Sequence, residues 1–217
     1  MFTGIVQHVG RITAAQPTAA GVRLTLDPCG WSHRPARGDS IAVSGTCLTV
    51  VQVEAGAWSF DVIPQTLART TLGSMGSSSA SMGSASGDAA LQPGRSVNLE
   101  HAVLASTPMG GHIVQGHVDG VGRVAAISTT GEWRVRIEPP ADAASSIVAQ
   151  GSITVDGVSL TVAGAAADGS WFEVALIPET LARTTLASLA VGDAVNIEVD
   201  HLAKLIAREV ERRLARG

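Results

Sequence analysis

Small hydroxyl, thiol and carboxylate side chains cluster at two places in the sequence and could line a ligand pocket. They are Ser44, Thr46, Cys47 and Thr49 at the first place, and Asp156, Ser159 and Thr161 at the second. Residues two apart on a β-strand point to the same face, so Cys47 and Thr49 could contact one flat ligand. Ser159 and Thr161 have the same spacing. Alternatively, these hydroxyl groups only satisfy hydrogen bonds at strand edges.

Histidine and cysteine spacing suggests proton transfer at one position and excludes a metal site. His117 has a side chain whose unperturbed pKa suits proton transfer near neutrality, although a histidine on an interior strand is more often a core group. His112 and His117 are five residues apart in an extended stretch, and no Cys-x-x-Cys or second histidine pair completes a zinc set. The glycines lie in strand-rich blocks with no long helix after them, so no nicotinamide or flavin cofactor is predicted.

The composition is that of a globular protein and does not predict binding to a polyanionic partner. The 217 residues are 45% hydrophobic and carry a net charge of −4, with no run of Lys or Arg. Neither nucleic acid nor an anionic membrane is therefore a predicted partner. The chain opens without a basic and apolar leader and has no apolar stretch of bilayer length, so we expect a cytoplasmic location. Two cysteines are too few for a disulfide framework.

Self-comparison shows that the chain is a tandem repeat. The segment Ile63–Leu72 recurs as Ile177–Leu186 with a single difference, Gln65 against Glu179. Three further blocks recur in the same order: Gly4–Ile12 as Gly116–Val124, Ser40–Val50 as Ser152–Val162, and Val97–Glu100 as Val195–Glu198. Cys47 thus occupies the position of Ser159, and His117 that of Ile5. A duplicated site would have two chemically unequal versions.

The halves differ most between their last two matched blocks, which 24 residues separate in the first copy and 8 in the second. The extra segment, about 73–92, is rich in Ser, Gly and Ala and has almost no charge. Such a composition offers too little apolar surface for a core, so we predict a mobile loop insertion inside the first domain. We expect one domain at 1–101, a second at 102–200 and a helical segment at 201–217.

Local patterns predict an all-β protein. Runs rich in Val, Ile and Thr are bounded by Gly, Asp and Asn at hairpin-like spacing, as in Gly21–Asp27 and Glu132–Glu138. Polar and apolar residues alternate within them, which indicates a sheet with one buried face and a small, closed or nearly closed barrel in each half. Pro64 and Pro178 stand at first-turn positions of helix-compatible stretches, so we expect one short helix per barrel.

The C-terminal segment has a different pattern. Apolar residues recur at helical spacing between His201 and Arg216, namely Leu202, Leu205, Ile206, Val210 and Leu214. This spacing predicts an amphipathic helix. The helix could pack on its own barrel. Its place after both repeats and its narrow apolar seam favour, as the alternative, helix association between subunits of a homo-oligomer.

The repeated blocks resemble the riboflavin synthase family, alpha-chain type, over nearly the whole chain. The motifs that carry this resemblance are Met1–Val6, Gly45–Thr49, Gly110–His112, Gly116–His117, Val155–Thr161, Ile177–Leu186 and Val195–Asp200. The resemblance implies two tandem six-stranded Greek-key barrels and a C-terminal helix that joins three identical chains into a homotrimer. It also implies that neither a cofactor nor a metal takes part.

The reaction that this resemblance implies is a dismutation. Two molecules of 6,7-dimethyl-8-ribityllumazine exchange a four-carbon unit and give riboflavin and 5-amino-6-ribitylaminouracil. A reaction between two copies of one substrate requires two similar pockets that hold them face to face. In the family, the N-terminal barrel of one subunit faces the C-terminal barrel of a neighbour, so the active site lies between subunits.

Matched positions supply the site residues that the resemblance implies. The first pocket would use Gly4, Ile5, Val6, Cys47, Leu48, Thr49, Ile63, Gln65, Thr66, Gly116, His117 and Val118. The second would use Ser159, Leu160, Thr161, Ile177, Glu179 and Thr180, with Asp200 in support and Gln150 and Asp156 as further substrate-binding candidates. We expect His117 to assist removal of a proton from the C7 methyl group. Cys47 or Ser159 would add or position a nucleophile at C7.

Two positions depart from the family pattern, and two rival functions remain. Gln150 stands where the family commonly has lysine, and Gln65 replaces an often acidic residue; glutamine can still form a hydrogen bond but brings no charge. The main rival is an antenna protein of the same lineage that binds a lumazine or flavin without turnover. Such proteins typically lose catalytic groups, whereas Cys47, His117, Asp156 and Ser159 are all present here. A structural module of two barrels is the second rival.

Overall fold

Each half of the chain forms a closed barrel of six strands in the computed structural model, which describes residues 1–73 and 93–214. The first barrel consists of β1 (His8–Thr18), β2 (Gly21–Asp27), β3 (Ser40–Val43), β4 (Thr46–Glu54), β5 (Ala57–Val62) and β6 (Ser96–His101). The second consists of β7 (Gly120–Ser128), β8 (Trp133–Glu138), β9 (Ser152–Val155), β10 (Val158–Ala165), β11 (Phe172–Leu176) and β12 (Ala194–Val199). The predicted all-β fold of two tandem barrels is confirmed. The predicted loop insertion, apart from Gly73, lies outside the described residues.

The two barrels share one topology. The strand order around the first barrel is β1-β2-β5-β4-β3-β6, and the corresponding order around the second is β7-β8-β11-β10-β9-β12. All neighbouring strands are antiparallel. Three hairpin-connected strands with a fourth that returns beside the first make this a Greek key, and closure removes the exposed sheet edges.

Alternating side chains fill the barrel interiors, as the sequence pattern predicts. In β2, Leu24 and Leu26 are fully buried in the first core, together with the large rings of Trp58 and Phe60. Arg23 points outward from the same strand and pairs with Asp61 on β5 at 2.5 Å. The second core is built in the same way around Phe172, Ile137 and Ile197.

Short helices follow the fifth strand of each barrel. They are α1 (Pro64–Arg69) and α3 (Pro178–Arg183), each with its proline in the first turn. The second barrel also has α2 (Ala141–Ala144) and a 3-10 turn at Thr185–Ser188, so the prediction of one short helix per barrel was wrong there. The last helix is α4 (His201–Leu214). Within the described ranges, no helix combines the length and the apolar character needed to cross a membrane.

Equivalent residues of the two repeats meet at an approximate twofold axis between the barrels. Phe2 and Val114 form an antiparallel bridge, with N–H···O distances of 2.7 and 3.1 Å. Gly45 and Gly157, in the turns after β3 and β9, both have φ of +80°. A Cβ on Gly45 would lie 2.7 Å from the backbone N of Gly157. Only glycine fits both this conformation and this close approach, and the barrels therefore pack turn against turn.

Candidate functional site

A short segment precedes each barrel and packs against the other barrel. We call it the crossing segment; it contains Gly4 before the first barrel and Gly116 before the second. Gly4 O accepts a hydrogen bond from Ser159 N at 2.7 Å, and Gly116 O accepts one from Cys47 N at 2.9 Å. A Cβ on either glycine would lie 2.6 Å from the Cβ of that partner. The structure therefore corrects the assignment of Gly4, Ile5 and Val6 to the first pocket. They lie on the Ser159 side, where Val6 packs into the second core and Ile5 stays exposed.

The first pocket is a cavity of about 170 Å³ beside Cys47. It is lined by Thr46, Cys47, Gln65, Thr66, Arg69, Thr70, Gly116, His117 and Val118. The structure thus brings residues of β4, α1 and the crossing segment together. Six of these lining residues are predicted first-pocket residues: Cys47, Gln65, Thr66, Gly116, His117 and Val118. Thr49 and Ile63 are exposed, Thr49 two residues beyond Cys47 on β4 and Ile63 directly before α1.

Two polar groups in this cavity are available to a ligand. Thr46 Oγ1 is buried and has no hydrogen-bond partner in the part of the chain that the structure describes. Buried hydroxyl groups are normally paired, so this oxygen is suited to a polar atom of a ligand or a water. The His117 ring is exposed, with Nδ1 3.2 Å from Gln115 Oε1, and it is not a core histidine.

At the predicted second pocket, a hydroxyl is paired with an imidazole. Ser159 Oγ lies 2.7 Å from His112 Nδ1, and Thr154 Oγ1 lies 3.2 Å from His112 Nε2. Burial lowers the pKa of His112, and the charge of Asp200 acts in the opposite direction. In the neutral tautomer with the proton on Nε2, Nδ1 accepts a hydrogen bond from the serine hydroxyl. This is the geometry of an activated hydroxyl nucleophile with its base.

Sequence reasoning missed His112 as a functional residue. It considered this histidine only as a zinc ligand, although the motif Gly110–His112 was part of the family resemblance. The hydrogen bond to Ser159 spans 47 residues of sequence and joins the crossing segment to β10, so no local spacing predicts it. Asp200, a predicted support residue, caps α4 by accepting a hydrogen bond from Leu202 N at 2.9 Å.

The helix α3 has in the second barrel the place that α1 has in the first. Because the two barrels share their topology, Glu179 and Thr180 correspond to Gln65 and Thr66 of the first pocket. Glu179 is exposed and pairs with Arg183 one turn later on the helix. Ile177 is exposed directly before the helix, and Thr161 is exposed on β10 two residues beyond Ser159.

Three predicted residues present no side chain to a pocket. Leu48 is buried in the first core and Leu160 packs against the second, because each follows a pocket residue on its strand and points to the opposite face. Asp156 is buried in the turn between β9 and β10, where its Oδ1 accepts from Asn196 N at 2.8 Å. The structure corrects the expectation for these side chains. Gln150 is exposed, has φ of +66°, and donates from its backbone N to Val162 O.

The titration of Asp156 should be visible in the stability of the protein. Burial raises the pKa of Asp156 from 3.8 to about 6, against the opposing effect of its hydrogen bond from Asn196. Since the folded-state pKa exceeds the unfolded one, the folded protein binds a proton first, and this contribution to stability rises as the pH falls through that window. Relative to D156N, the wild type should gain on the order of 2–3 kcal/mol between about pH 7 and pH 4.

Urea denaturation at several pH values measures this difference. The D156N variant keeps an oxygen for Asn196 N but has no proton to bind. Glu100 and Glu198, whose pKa values burial also raises, remain in both proteins and cancel in the comparison. Parallel stability curves for the two proteins would contradict the prediction.

Two buried carboxylates hold the crossing segments in place. Glu100 Oε1 accepts from Thr3 N and Thr3 Oγ1 at 2.7 and 2.8 Å, and its Oε2 accepts from Gly4 N at 3.0 Å. Glu198 accepts from Gln115 N and Gly116 N at 2.7 and 3.0 Å. Neither residue was a site candidate from sequence. Their sequence signals were the recurrence of the block that ends in each glutamate and, for Glu198, the family motif Val195–Asp200.

Two closed barrels of one topology, with Cys47 and Ser159 at equivalent positions, define a tandem-barrel protein. A family model described as the lumazine binding domain matches residues 3–80 and 115–200. The riboflavin synthase of Mycobacterium tuberculosis is 46% identical over 211 residues, which cover 96% of this chain and 97% of that protein. The riboflavin synthase of Photobacterium phosphoreum is 38% identical over 210 residues, with 96% and 88% covered. The chain belongs to the riboflavin synthase family of tandem lumazine-binding proteins, which confirms the resemblance.

Solved structures agree with this placement. The structure of LumP complexed with riboflavin superposes with a TM-score of 0.76 at 25% identity and covers 93% of this chain and 100% of its own. LumP complexed with 6,7-dimethyl-8-(1'-D-ribityl) lumazine gives a TM-score of 0.75 at 24% identity, with the same coverage. At this identity the latter likeness shows the shared fold alone.

Proposed function

We propose that the protein is a transferase that catalyses the riboflavin synthase reaction in the cytoplasm. Two molecules of 6,7-dimethyl-8-ribityllumazine exchange a four-carbon unit, and the products are riboflavin and 5-amino-6-ribitylaminouracil. The observation that carries this proposal is the 46% identity to a riboflavin synthase over 96% of the chain. The retained Cys47 and Ser159, each beside a crossing segment, and His117, within one, support it.

The two pockets have different chemical roles in this proposal. In the second, the neutral imidazole of His112 takes the proton of the Ser159 hydroxyl as the oxygen adds to C7 of one lumazine, whose ring takes up the electron pair of the C7 double bond. If the hydroxyl instead positions another nucleophile at C7, it keeps its own proton. In the first, Cys47 and Thr46 bind the other lumazine, and His117 accepts a proton from its acidic C7 methyl group. The Ser159 hydroxyl has a base within hydrogen-bond distance, whereas Cys47 Sγ has no hydrogen bond among the described residues. This difference favours Ser159 as the nucleophilic side.

Geometry within one chain favours a reaction between subunits. Gly4 and Gly116 lie two residues beyond the Phe2–Val114 bridge in opposite directions, so they are separated by roughly 13 Å at about 3.3 Å per residue. Reacting atoms must approach to about 3–3.5 Å. The first cavity, about 170 Å³, is also smaller than the roughly 300–1,000 Å³ of typical ligand pockets. A neighbouring chain would supply both the missing wall and the second substrate.

The exposed apolar side of α4 supports a homotrimer. Its apolar residues Leu202, Leu205, Ile206, Val210 and Leu214 are 49 to 78% exposed, so the helix does not bury this seam on its own barrel. Three such helices could cover one another's seams and place the N-terminal barrel of one subunit opposite the C-terminal barrel of the next. Light scattering of the purified protein measures the subunit number, and an active monomer would contradict this part of the proposal.

A turnover assay tests the function directly. The purified protein is mixed with 6,7-dimethyl-8-ribityllumazine without any cofactor, and riboflavin is followed by its fluorescence. We expect one riboflavin and one 5-amino-6-ribitylaminouracil for every two lumazines consumed. Tight binding without turnover would instead support the antenna function, which the likeness to ligand-bound LumP favours. If the protein neither binds nor turns over the lumazine, the structural module is the remaining function.

A further inference from the structure

The sixth strand of each barrel carries two polar side chains that face the other barrel. They are Asn98 and Glu100 on β6, and Asn196 and Glu198 on β12, and all four are buried. Residues two apart on a strand share a face, and the alternate residues Val97 and Leu99 fill the first core. Each pair therefore lies outside its own barrel interior and inside the interface between the barrels.

The glutamates are linked to the pockets by short chains of hydrogen bonds. Glu100, on the first barrel, holds Gly4, whose carbonyl accepts from Ser159 N of the second barrel. Glu198, on the second barrel, holds Gly116, whose carbonyl accepts from Cys47 N of the first. In both cases two hydrogen bonds separate the carboxylate from the strand that carries the reactive side chain of the other barrel.

The asparagines make the same crossed connection to the pocket helices. Asn98 Oδ1 accepts from Thr185 N at 2.8 Å, two residues beyond the end of α3 in the second barrel. Asn196 Oδ1 accepts from Thr71 N at 2.7 Å, two residues beyond the end of α1 in the first barrel. Both walls of a pocket, the crossing segment and the helix, are thus attached to the sixth strand of the barrel that does not carry its reactive residue.

We propose that Glu100 and Glu198 are positioning residues with crossed effects. Glu100 sets the geometry of the Ser159 pocket, and Glu198 sets that of the Cys47 pocket. A carboxylate only accepts hydrogen bonds, so it can receive N–H groups on both oxygens, whereas a glutamine would turn its NH₂ group toward one of these donors. The assignment of the pockets to lumazine rests on the proposed function, but the positioning contacts do not.

Amide hydrogen exchange, followed by NMR, tests the crossed pattern without substrate. In E100Q, loss of a charged hydrogen bond should speed exchange of the Ser159 amide by about tenfold or more and leave Cys47 within about twofold. In E198Q, exchange of the Cys47 amide should instead be about tenfold faster or more, and that of the Ser159 amide should stay within about twofold. Exchange at the buried Ile137 amide reports general opening, and E138Q, which removes an exposed carboxylate on β8, is the matched control. If a glutamine variant does not fold, the corresponding aspartate variant is measured.

Two outcomes of this experiment would overturn the proposal. One is an equal rise at Cys47, Ser159 and Ile137, which indicates a merely structural role. The other is a change confined to the pocket of the glutamate's own barrel. In the turnover assay, positioning predicts a kcat about tenfold lower with KM within about threefold, since misplacement costs more in the transition state than in binding. If the wild type turns over no lumazine, the proposed function fails while the exchange pattern still decides this proposal.

Discussion

Replacing His112 with alanine should lower kcat by about 10²–10⁴-fold, the usual contribution of a general base. The Ser159 hydroxyl would keep its place on β10 but lose the Nδ1 atom that lies 2.7 Å from it. His112→Gln is the sharper variant, because glutamine retains a polar side chain of similar reach but cannot take up a proton at neutral pH. His8→Ala removes a histidine outside both pockets and should leave turnover within about twofold of the wild type. Steady-state assays of the three variants give the comparison.

The pH profile separates loss of a base from loss of packing. Burial lowers the pKa of His112 below its usual 6.5, so the imidazole stays neutral and able to accept a proton down to a pH below that value. Wild-type activity should fall on the acid side as His112 becomes protonated, and that limb should be absent in His112→Gln. Turnover by His112→Gln close to the wild-type rate would remove His112 from the mechanism.

Replacing Asn196 with alanine should destabilise the protein by about 2–5 kcal/mol, since each unpaired buried polar group costs about 1–3 kcal/mol. Its Oδ1 accepts from Thr71 N at 2.7 Å, and its Nδ2 donates to Ser44 O at 2.8 Å. Both partners are buried and belong to the first barrel, so the variant leaves a donor and an acceptor without water or protein to replace the side chain. Denaturant unfolding measures the change.

Exposed and equivalent amides provide the controls for this prediction. Gln52→Ala removes an exposed amide on β4 that donates to Glu54, and it should change stability by less than about 0.5 kcal/mol. Asn98→Ala, the equivalent substitution in the other repeat, should resemble Asn196→Ala because it leaves Asp156 O and Thr185 N unpaired. A loss below about 1 kcal/mol for Asn196→Ala would show that the barrels do not depend on this contact.

Six residues of the first pocket were predicted, three from within the first repeat and three, Gly116, His117 and Val118, through the family resemblance. Cys47, Gln65 and Thr66 line one cavity because the strand and the helix of a single repeat bring them together. Gly4 and Gly116 were both assigned to the first pocket, but the structure keeps only Gly116 there, against Cys47, and places Gly4 against Ser159. A duplicated sequence is equally compatible with a segment that stays on its own barrel and one that crosses to the other.

Sequence reasoning wrongly assigned Asp156 to ligand binding and overlooked His112 near Ser159. Both errors have the same cause. Asp156 looks like a ligand-binding acid in a strand-turn block, but the turn lies at the twofold axis, where its carboxylate is buried against Asn196. His112 looks like an isolated histidine, but the crossing segment carries it to Ser159. Burial and partner identity are properties of packing between barrels, and the local sequence is the same whether or not that packing occurs.

The duplication, the all-β class, strands in the runs Gly21–Asp27 and Glu132–Glu138, and short helices with Pro64 and Pro178 in their first turns were readable from the sequence. These features depend on side-chain alternation and on the fixed φ of proline, which act over a few residues. Tertiary structure alone decided that each pocket is shared between the barrels, with Gly4 against Ser159 and Gly116 against Cys47. That choice depends on buried hydrogen bonds between residues roughly 70 to 155 apart in sequence, whose partners become known only when the two barrels pack together.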